Sequence, residues 1–264
     1  MILKTDKMLA AKDGPIGWIT FNNPARRNAV SMAMWEGLLE IVRDFERDAA
    51  IRVIVLKGAG DKAFVSGADI SEFEEKRSSP ELVRIYGEAS EKATEALRHA
   101  SKPTIAMIRG YCIGGGVSVA LSCDMRIAGE GAKFGVPAAK LGLGYEYRGV
   151  RKLVDVVGPA LAKEIFFTAR QFTAAEALTM GLINRMVADD ALEKYVQDYA
   201  ATIAANAPLT VSSIKTIVDE VVKDESERDL GLCQQVVDRC FNSEDYVEGR
   251  KAFMEKRKPA FKGR

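Results

Sequence analysis

The chain has 264 residues, 47% of them hydrophobic and 28% charged, with 38 basic against 37 acidic side chains and a formal net charge of +1. That length and apolar fraction suit one large domain or two small ones with a proper core. The charge balance gives no drive toward nucleic acid or an anionic membrane, and no apolar run approaches the roughly 20 residues that span a bilayer. The start, MILKTDKMLA, lacks a signal-peptide apolar region, so a cytoplasmic protein with neither nucleic acid nor membrane as partner is expected.

MLAA and IGWITF read as strands on either side of a turn at Asp13-Gly14-Pro15. Ser31 is placed to cap a helix running to about Asp48, with Met34, Leu38, Ile41, Val42 and Phe45 on one face. VIVLKGAG is a short apolar run that stops at glycines, as a strand buried on both faces does. A polar, turn-rich segment from Ser71 to Ser79 precedes a helix from Pro80 to His99. The pattern repeats with PTIAMIRG as strand, GGGVSVALSC as turn and helix, and DMRIAG as strand.

From Gly149 the chain is mostly helical. Thr173-Ala174-Ala175-Glu176 has the form of a capping box opening a short helix that ends near Gly181. Long helices are expected from about Ala191, Pro208, Glu227 and Ser243. Strand–helix alternation first and helices last predict a layered α/β core with a helical C-terminal region. The boundary is placed at residue 200, giving a core of residues 1–200 and a helical oligomerisation region of residues 201–264.

The cysteines Cys112, Cys123, Cys233 and Cys240 form no C-x-x-C pair, so buried free thiols in a reducing compartment are expected. The single histidine, His99, sits at a helix C-terminus, where a basic group suits the dipole. Neither a metal site nor a Ser-His-Asp triad is expected from this inventory.

Two glycine-containing turns follow strands: AFVSGADI and GYCIGGGVSVALSCD. Successive glycines after a strand free backbone N–H groups to face a cleft, and the next helix adds its positive end. Such a turn can bind a phosphate or stabilise an oxyanion. It has neither the G-x-G-x-x-G spacing of a dinucleotide site nor the Gly-Lys-Ser/Thr of a P-loop. On the motif alone, glycines serving only close helix–sheet packing are an equal reading.

Five stretches, NPARRNAVS, KAFVSGADI, KPTIAMIRGYCIGGGVSVALSCDMRIAG, FTARQFTAAEALTMGLINRMV and SEDYVEGRKAFMEKRKPAFKG, carry a resemblance to the crotonase, or enoyl-CoA hydratase/isomerase, superfamily. Their order and spacing span nearly the whole chain. The resemblance implies an α/β fold with a ββα-spiral core, a helical C-terminal trimerisation region, and a homotrimer or dimer of trimers. It implies an acyl-CoA thioester as substrate, with no separate cofactor because coenzyme A is part of that substrate. Ala68 and Gly115 would supply the two N–H groups of an oxyanion hole, with Gly114 beside them at the substrate. Fixed donors of this kind stabilise a thioester enolate without solvent reorganisation, each by about 3 kcal/mol. Ser66, Ala68, Asp69 and Ile70 would line the adenine and pantetheine path. Arg27, beside Ala29, and Phe261 and Lys262 in the basic tail would meet the CoA phosphates; a merely solvated tail is the other reading.

Hydratases of the family resemble one another in using two glutamates around one water. Those positions are Ser118 and Ala138 here, so both carboxylates are absent. In the dienoyl-CoA isomerases and aryl-CoA dehalogenases an aspartate follows an L-G-L type run, and it coincides with Glu146 in LGLGYE. Glu146 is therefore a candidate relocated acid/base, with Tyr145 or Tyr147 as hydrogen-bond donor. The alternative is a surface residue paired with Arg148 or Arg151. The function expected is hydration or isomerisation of an enoyl-CoA. A catalytically inactive CoA-binding or assembly member is the alternative, and the neutral charge speaks against an RNA-binding one.

Overall fold

The structure is a computed structural model that describes residues 3–69 and 79–264. Ile70 and most of the Ser71–Ser79 segment lie outside the described residues.

Two sheets form the frame. Strands β1 (Met8–Asp13) and β2 (Ile16–Phe21) make an antiparallel hairpin, with Met8 opposite Phe21. β3 (Val53–Gly58), β5 (Thr104–Ile108), β7 (Met125–Gly129) and β10 (Arg185–Val187) extend it in parallel, in the order β1-β2-β3-β5-β7-β10. The second sheet is built from very short strands: β4 (Ala63–Val65), β6 (Tyr111–Ile113), β8 (Lys133–Gly135) and β9 (Phe172–Thr173). Each turn of the chain thus lays a long strand in one sheet and a short strand in the other.

The inner strands β3, β5 and β7 of the larger sheet are largely buried on both faces, as their apolar runs predict, while the edge strand β1 is mostly exposed. Ile54 and Leu56 of β3 face the main core, while Val53 and Val55 face a second cluster. This alternation is the period-2 geometry of a strand. Helix α1 (Met32–Arg47) covers the main core with Met34, Leu38, Ile41 and Phe45, and the Ser31 hydroxyl caps it by accepting from the Met34 N–H. The helices α2 (Pro80–Arg98), α3 (Gly115–Leu121), α4 (Tyr147–Thr168) and α5 (Ala174–Thr179) follow in order. The capping box at Thr173 and Glu176 is present in both directions.

The second cluster is closed by α6 (Leu192–Ala204), whose Leu192, Val196, Ala200 and Ala204 lie against it. The expected boundary at residue 200 falls inside this helix. Beyond it come α7 (Pro208–Val221), α8 (Leu230–Phe241) and α9 (Glu244–Met254). α8 starts at Leu230 rather than near Glu227, because Asp229 provides the cap by accepting from the Leu232 N–H. These helices expose Val218, Val222, Phe241, Val247, Phe253 and Met254. Cys112 and Cys123 are buried, but Cys233 and Cys240 are only half-buried, because α8 lacks a covering layer within the chain. No helix among the described residues is long and apolar enough to cross a membrane.

The C-terminal tail is tied down by carboxylates. Glu248 accepts from the Arg257 guanidinium at 2.6 and 2.9 Å and from the Ala260 N–H at 2.8 Å. Asp245 accepts from the N–H groups of Lys262 and Gly263 at 2.6 and 2.8 Å. The Arg257 hydrogen bonds, then the Ala260 amide, hold the Glu248 carboxyl down at about 2. A carboxylate depressed on folding stabilises the tail above its ordinary range and ceases to do so as pH falls through the folded value. Lowering the pH from about 4.5 toward 2 is therefore expected to reduce the exchange protection factor of the Ala260 amide before that of the β3 amides. Glu248→Gln should produce the same loss at neutral pH, read by peptide-resolved hydrogen exchange.

Candidate active site

The loop between β2 and α1 is organised by an asparagine that the sequence reading passed over. Asn28 is fully buried, with its Nδ2 donating to the carbonyls of Ala59 and Ala63 at 3.0 and 2.7 Å and its Oδ1 accepting from the Asn23 N–H at 3.0 Å. It fastens this loop to the approach of β4. Val30 then forms a parallel bridge to Ala68: the Val30 N–H donates to Gly67 O at 2.8 Å and the Asp69 N–H donates to Val30 O at 3.0 Å. In a parallel bridge these bonds flank the central residue. The Ala68 N–H is left without an acceptor among the described residues.

The triple-glycine turn has a distinct reason for each glycine. Gly114 sits at φ 53°, ψ −110°, a backbone conformation that L side chains rarely adopt. A Cβ on Gly116 would lie 2.1 Å from Val65 O, so close packing against β4 excludes one. Gly115 has no such constraint: a Cβ there would stand 3.7 Å from the Ala68 nitrogen, an ordinary contact. Packing therefore accounts for Gly116 and not for Gly115. As the first residue of α3, Gly115 has an N–H with no intrahelical acceptor. The two unspent amides thus lie on adjoining backbone.

They border a cavity of about 330 Å³. Ser66, Ala68, Gly114, Gly115, Ser118 and Ala138 all line it, and so do Tyr145 and Glu146. Glu146 is the residue before α4, exposed, and its side chain makes no capping bond. Neither arginine proposed as its partner pairs with it. Arg148 pairs with Glu91 and Arg151 with Asp155 at 3.8 Å. Of the two flanking tyrosines only Tyr145 lines the cavity, packed edge-on to Phe166 at 4.9 Å, and burial raises its hydroxyl pKa. Tyr147 is 74% exposed and does not line it.

The remaining expected site residues stand outside the cavity wall. Arg27 takes the left-handed conformation at φ 52° and lays its exposed guanidinium 5.1 Å from the Tyr111 ring centre, while its carbonyl accepts from the Ser66 N–H. Ala29 is buried, and its carbonyl accepts from Asn23 Nδ2. Asp69 is buried and pairs with Arg26 at 3.3 Å. Phe261 gives its carbonyl to Arg52 Nη2 at 2.5 Å and packs near Gly249, and Lys262 is held through its backbone by Asp245. Both tail residues lie beside the C-terminal helices.

One wall is built from residues that the sequence analysis did not single out. Helix α2 presents Tyr86, Ser90, Glu91, Thr94 and Glu95 to the cavity, and Lys152 of α4 meets them. Lys152 is buried at 9% exposure, with Nζ 3.2 Å from Glu95 Oε1 and 3.4 Å from the hydroxyls of Thr94 and Ser122. Burial lowers the Lys152 pKa, opposed by the Glu95 charge. Burial would raise Glu95, but Lys152 and His99 outweigh it and hold the carboxyl below its ordinary value. The spacing of positions 86, 90, 91, 94 and 95 along one helix face was the available signal. Burial pushes the Cys123 thiol up to about 12, and Cys112 higher still, so neither is a thiolate at neutral pH.

Unspent amides side by side at the edge of a cavity are an arrangement able to polarise a carbonyl. The enoyl-CoA hydratase/isomerase family model matches residues 11–264. The short-chain-enoyl-CoA hydratase of Clostridium acetobutylicum is 33% identical over 263 residues, covering 99% of this chain and 100% of that protein. The crotonyl-CoA hydratase of Syntrophomonas wolfei is 32% identical over 256 residues, covering 97% of this chain and 98% of that one. Among solved structures, an enoyl-CoA hydratase/carnithine racemase from Magnetospirillum magneticum superposes with a TM-score of 0.92 at 37% identity, covering 99% of this chain and 97% of that one. The chain belongs to the enoyl-CoA hydratase/isomerase family of enzymes, and its fold is crotonase-like with a helical C-terminal region.

Proposed function

We propose that the protein forms a thioester enolate from an enoyl-CoA, with the N–H groups of Ala68 and Gly115 as oxyanion hole and Glu146 as the acid/base. The observation that carries this reading is the pair of unspent amides on adjoining backbone, bordering the same cavity as a carboxylate with no ion-pair partner among the described residues. Negative charge that develops on the thioester oxygen when an α- or γ-proton leaves would be met by two donors already in place. Ser118 and Ala138 stand for the two hydratase glutamates, so addition of water would lack its usual pair. A single carboxylate that takes a proton from one carbon and returns it to another suits isomerisation of the double bond better than hydration.

The half-buried and exposed apolar side chains of α7 to α9 suit a homotrimer or a dimer of trimers, and the free thiols suit the cytoplasm. The test is incubation with short and medium enoyl-CoA and dienoyl-CoA in deuterated water. Deuterium is expected at the carbon next to the thioester, and a migrated double bond with suitable substrates. Measurable binding with no exchange from any acyl-CoA would leave the protein as a binding or assembly member of the family.

A further inference from the structure

The α2 wall is the part of the cavity that the reading above leaves without a task. Its inward face at Ser90, Glu91, Thr94 and Glu95 is polar throughout, an unusual lining for an alkyl chain, since apolar atoms would strip water from these groups without replacing their hydrogen bonds. The charges on this wall are paired: Glu95 with Lys152, and Glu91 with Arg148. The Thr94 hydroxyl is also engaged, donating toward the carbonyls of Ser90 and Glu91 at 3.0 and 3.1 Å. The Ser90 hydroxyl, on a residue that also lines the cavity, has no hydrogen-bond partner among the described residues. Glu146 is a further carboxylate bordering the same cavity, and it would repel an anionic acyl tail. A cationic tail would have to compete for carboxylates that already hold cations. The ligand chemistry that suits this wall is neutral and hydrogen-bonding.

We propose that the α2 wall is a specificity subsite for a hydroxyl group carried by the acyl chain beyond Cβ, received by Ser90 and Glu91. This rests on the cavity being the acyl-thioester site proposed above. The preferred thioester is then a hydroxylated acyl-CoA rather than an alkyl one. The Lys152–Glu95 pair fixes the wall by joining α2 to α4, and through Ser122 to the end of α3.

The test is calorimetric affinity for unreactive saturated thioesters in matched pairs: butyryl-CoA against 4-hydroxybutyryl-CoA, and hexanoyl-CoA against 6-hydroxyhexanoyl-CoA. Terminal carboxylate and terminal ammonium forms of the same lengths complete the series. One hydroxylated member is expected to bind about tenfold more tightly than its alkyl partner, the factor of one good hydrogen bond. Ser90→Ala, and Ser90→Ala combined with Glu91→Leu, should bring that ratio toward one. Circular dichroism reports whether each variant is folded, and the milder single variant carries the test if the double one is not. Equal or tighter binding of the alkyl partner at both lengths overturns the proposal. So does a carboxylate or ammonium form that binds best, or a ratio unmoved by the variants. Because these ligands do not react, a hydroxyl preference without any exchange in deuterated water would sink the enzymatic reading and keep the subsite. Failure of every acyl-CoA to bind would sink both.

Discussion

Gly115→Pro is expected to lower the rate of α-proton exchange by at least about 10²-fold while leaving the fold in place. Most residues keep the backbone N–H, so only proline removes the donor itself. Gly115 is the first residue of α3, the one helical position where proline is readily accepted, because its missing N–H has no intrahelical partner. A Cβ is accommodated as well, standing 3.7 Å from the Ala68 nitrogen. Gly115→Ala is the control. It keeps the N–H and meets only ordinary contacts, so its exchange rate should stay far nearer to that of the parent. Equal loss in both variants would mean that space, and not the amide, governs the rate. Gly116→Ala is a poor substitute for either, because its Cβ would meet Val65 O at 2.1 Å and force the turn away from β4.

The long elements were legible because each carried its own local signal. Ser31 before an apolar period, the capping box at Thr173 and Glu176, and the unbroken run VIVLKG all led to the right element. The second sheet was not legible. Its strands run two or three residues, too short for alternation to register, and they are joined only by pairing between distant parts of the chain, such as Cys112 with Phe134. AFV and YCI therefore read as parts of glycine turns. The two turns were rightly singled out, but the sequence could not separate packing from chemistry at Gly114, Gly115 and Gly116. That separation needs the distance from each Cβ position to β4 and to Ala68.

The individual residues of the α2 wall were not legible for a related reason. Serine, threonine and glutamate on a helix ordinarily mark a solvated face. Only the docking of α4, which brings Lys152 to Glu95 at 3.2 Å, turns that face inward. Arg27 and the Phe261-Lys262 tail, which the resemblance would bring to the CoA phosphates, stand apart from the cavity in a single chain.

Glu146→Gln is expected to reduce exchange by about 10²- to 10⁴-fold, the usual range for removing a positioned acid/base, with acyl-CoA affinity little changed. The substitution is nearly isosteric and disturbs little else, because Glu146 is exposed, makes no capping bond and has no ion pair among the described residues. Its effect on stability should lie within about 0.5 kcal/mol, measured by denaturant unfolding. The same neutrality gives the experiment its force, since lost exchange in a fully stable variant that still binds can only be lost chemistry. Glu91 borders the same cavity and is the competing carboxylate, although Arg148 already holds it. Glu91→Gln should therefore retain exchange on alkyl substrates to a much greater extent than Glu146→Gln does. The opposite order, exchange kept without Glu146 and abolished without Glu91, would move the base from the start of α4 to the face of α2. A base on α2 would also have to give up Arg148 before it could accept a proton, since a carboxylate paired with a guanidinium is a weaker base.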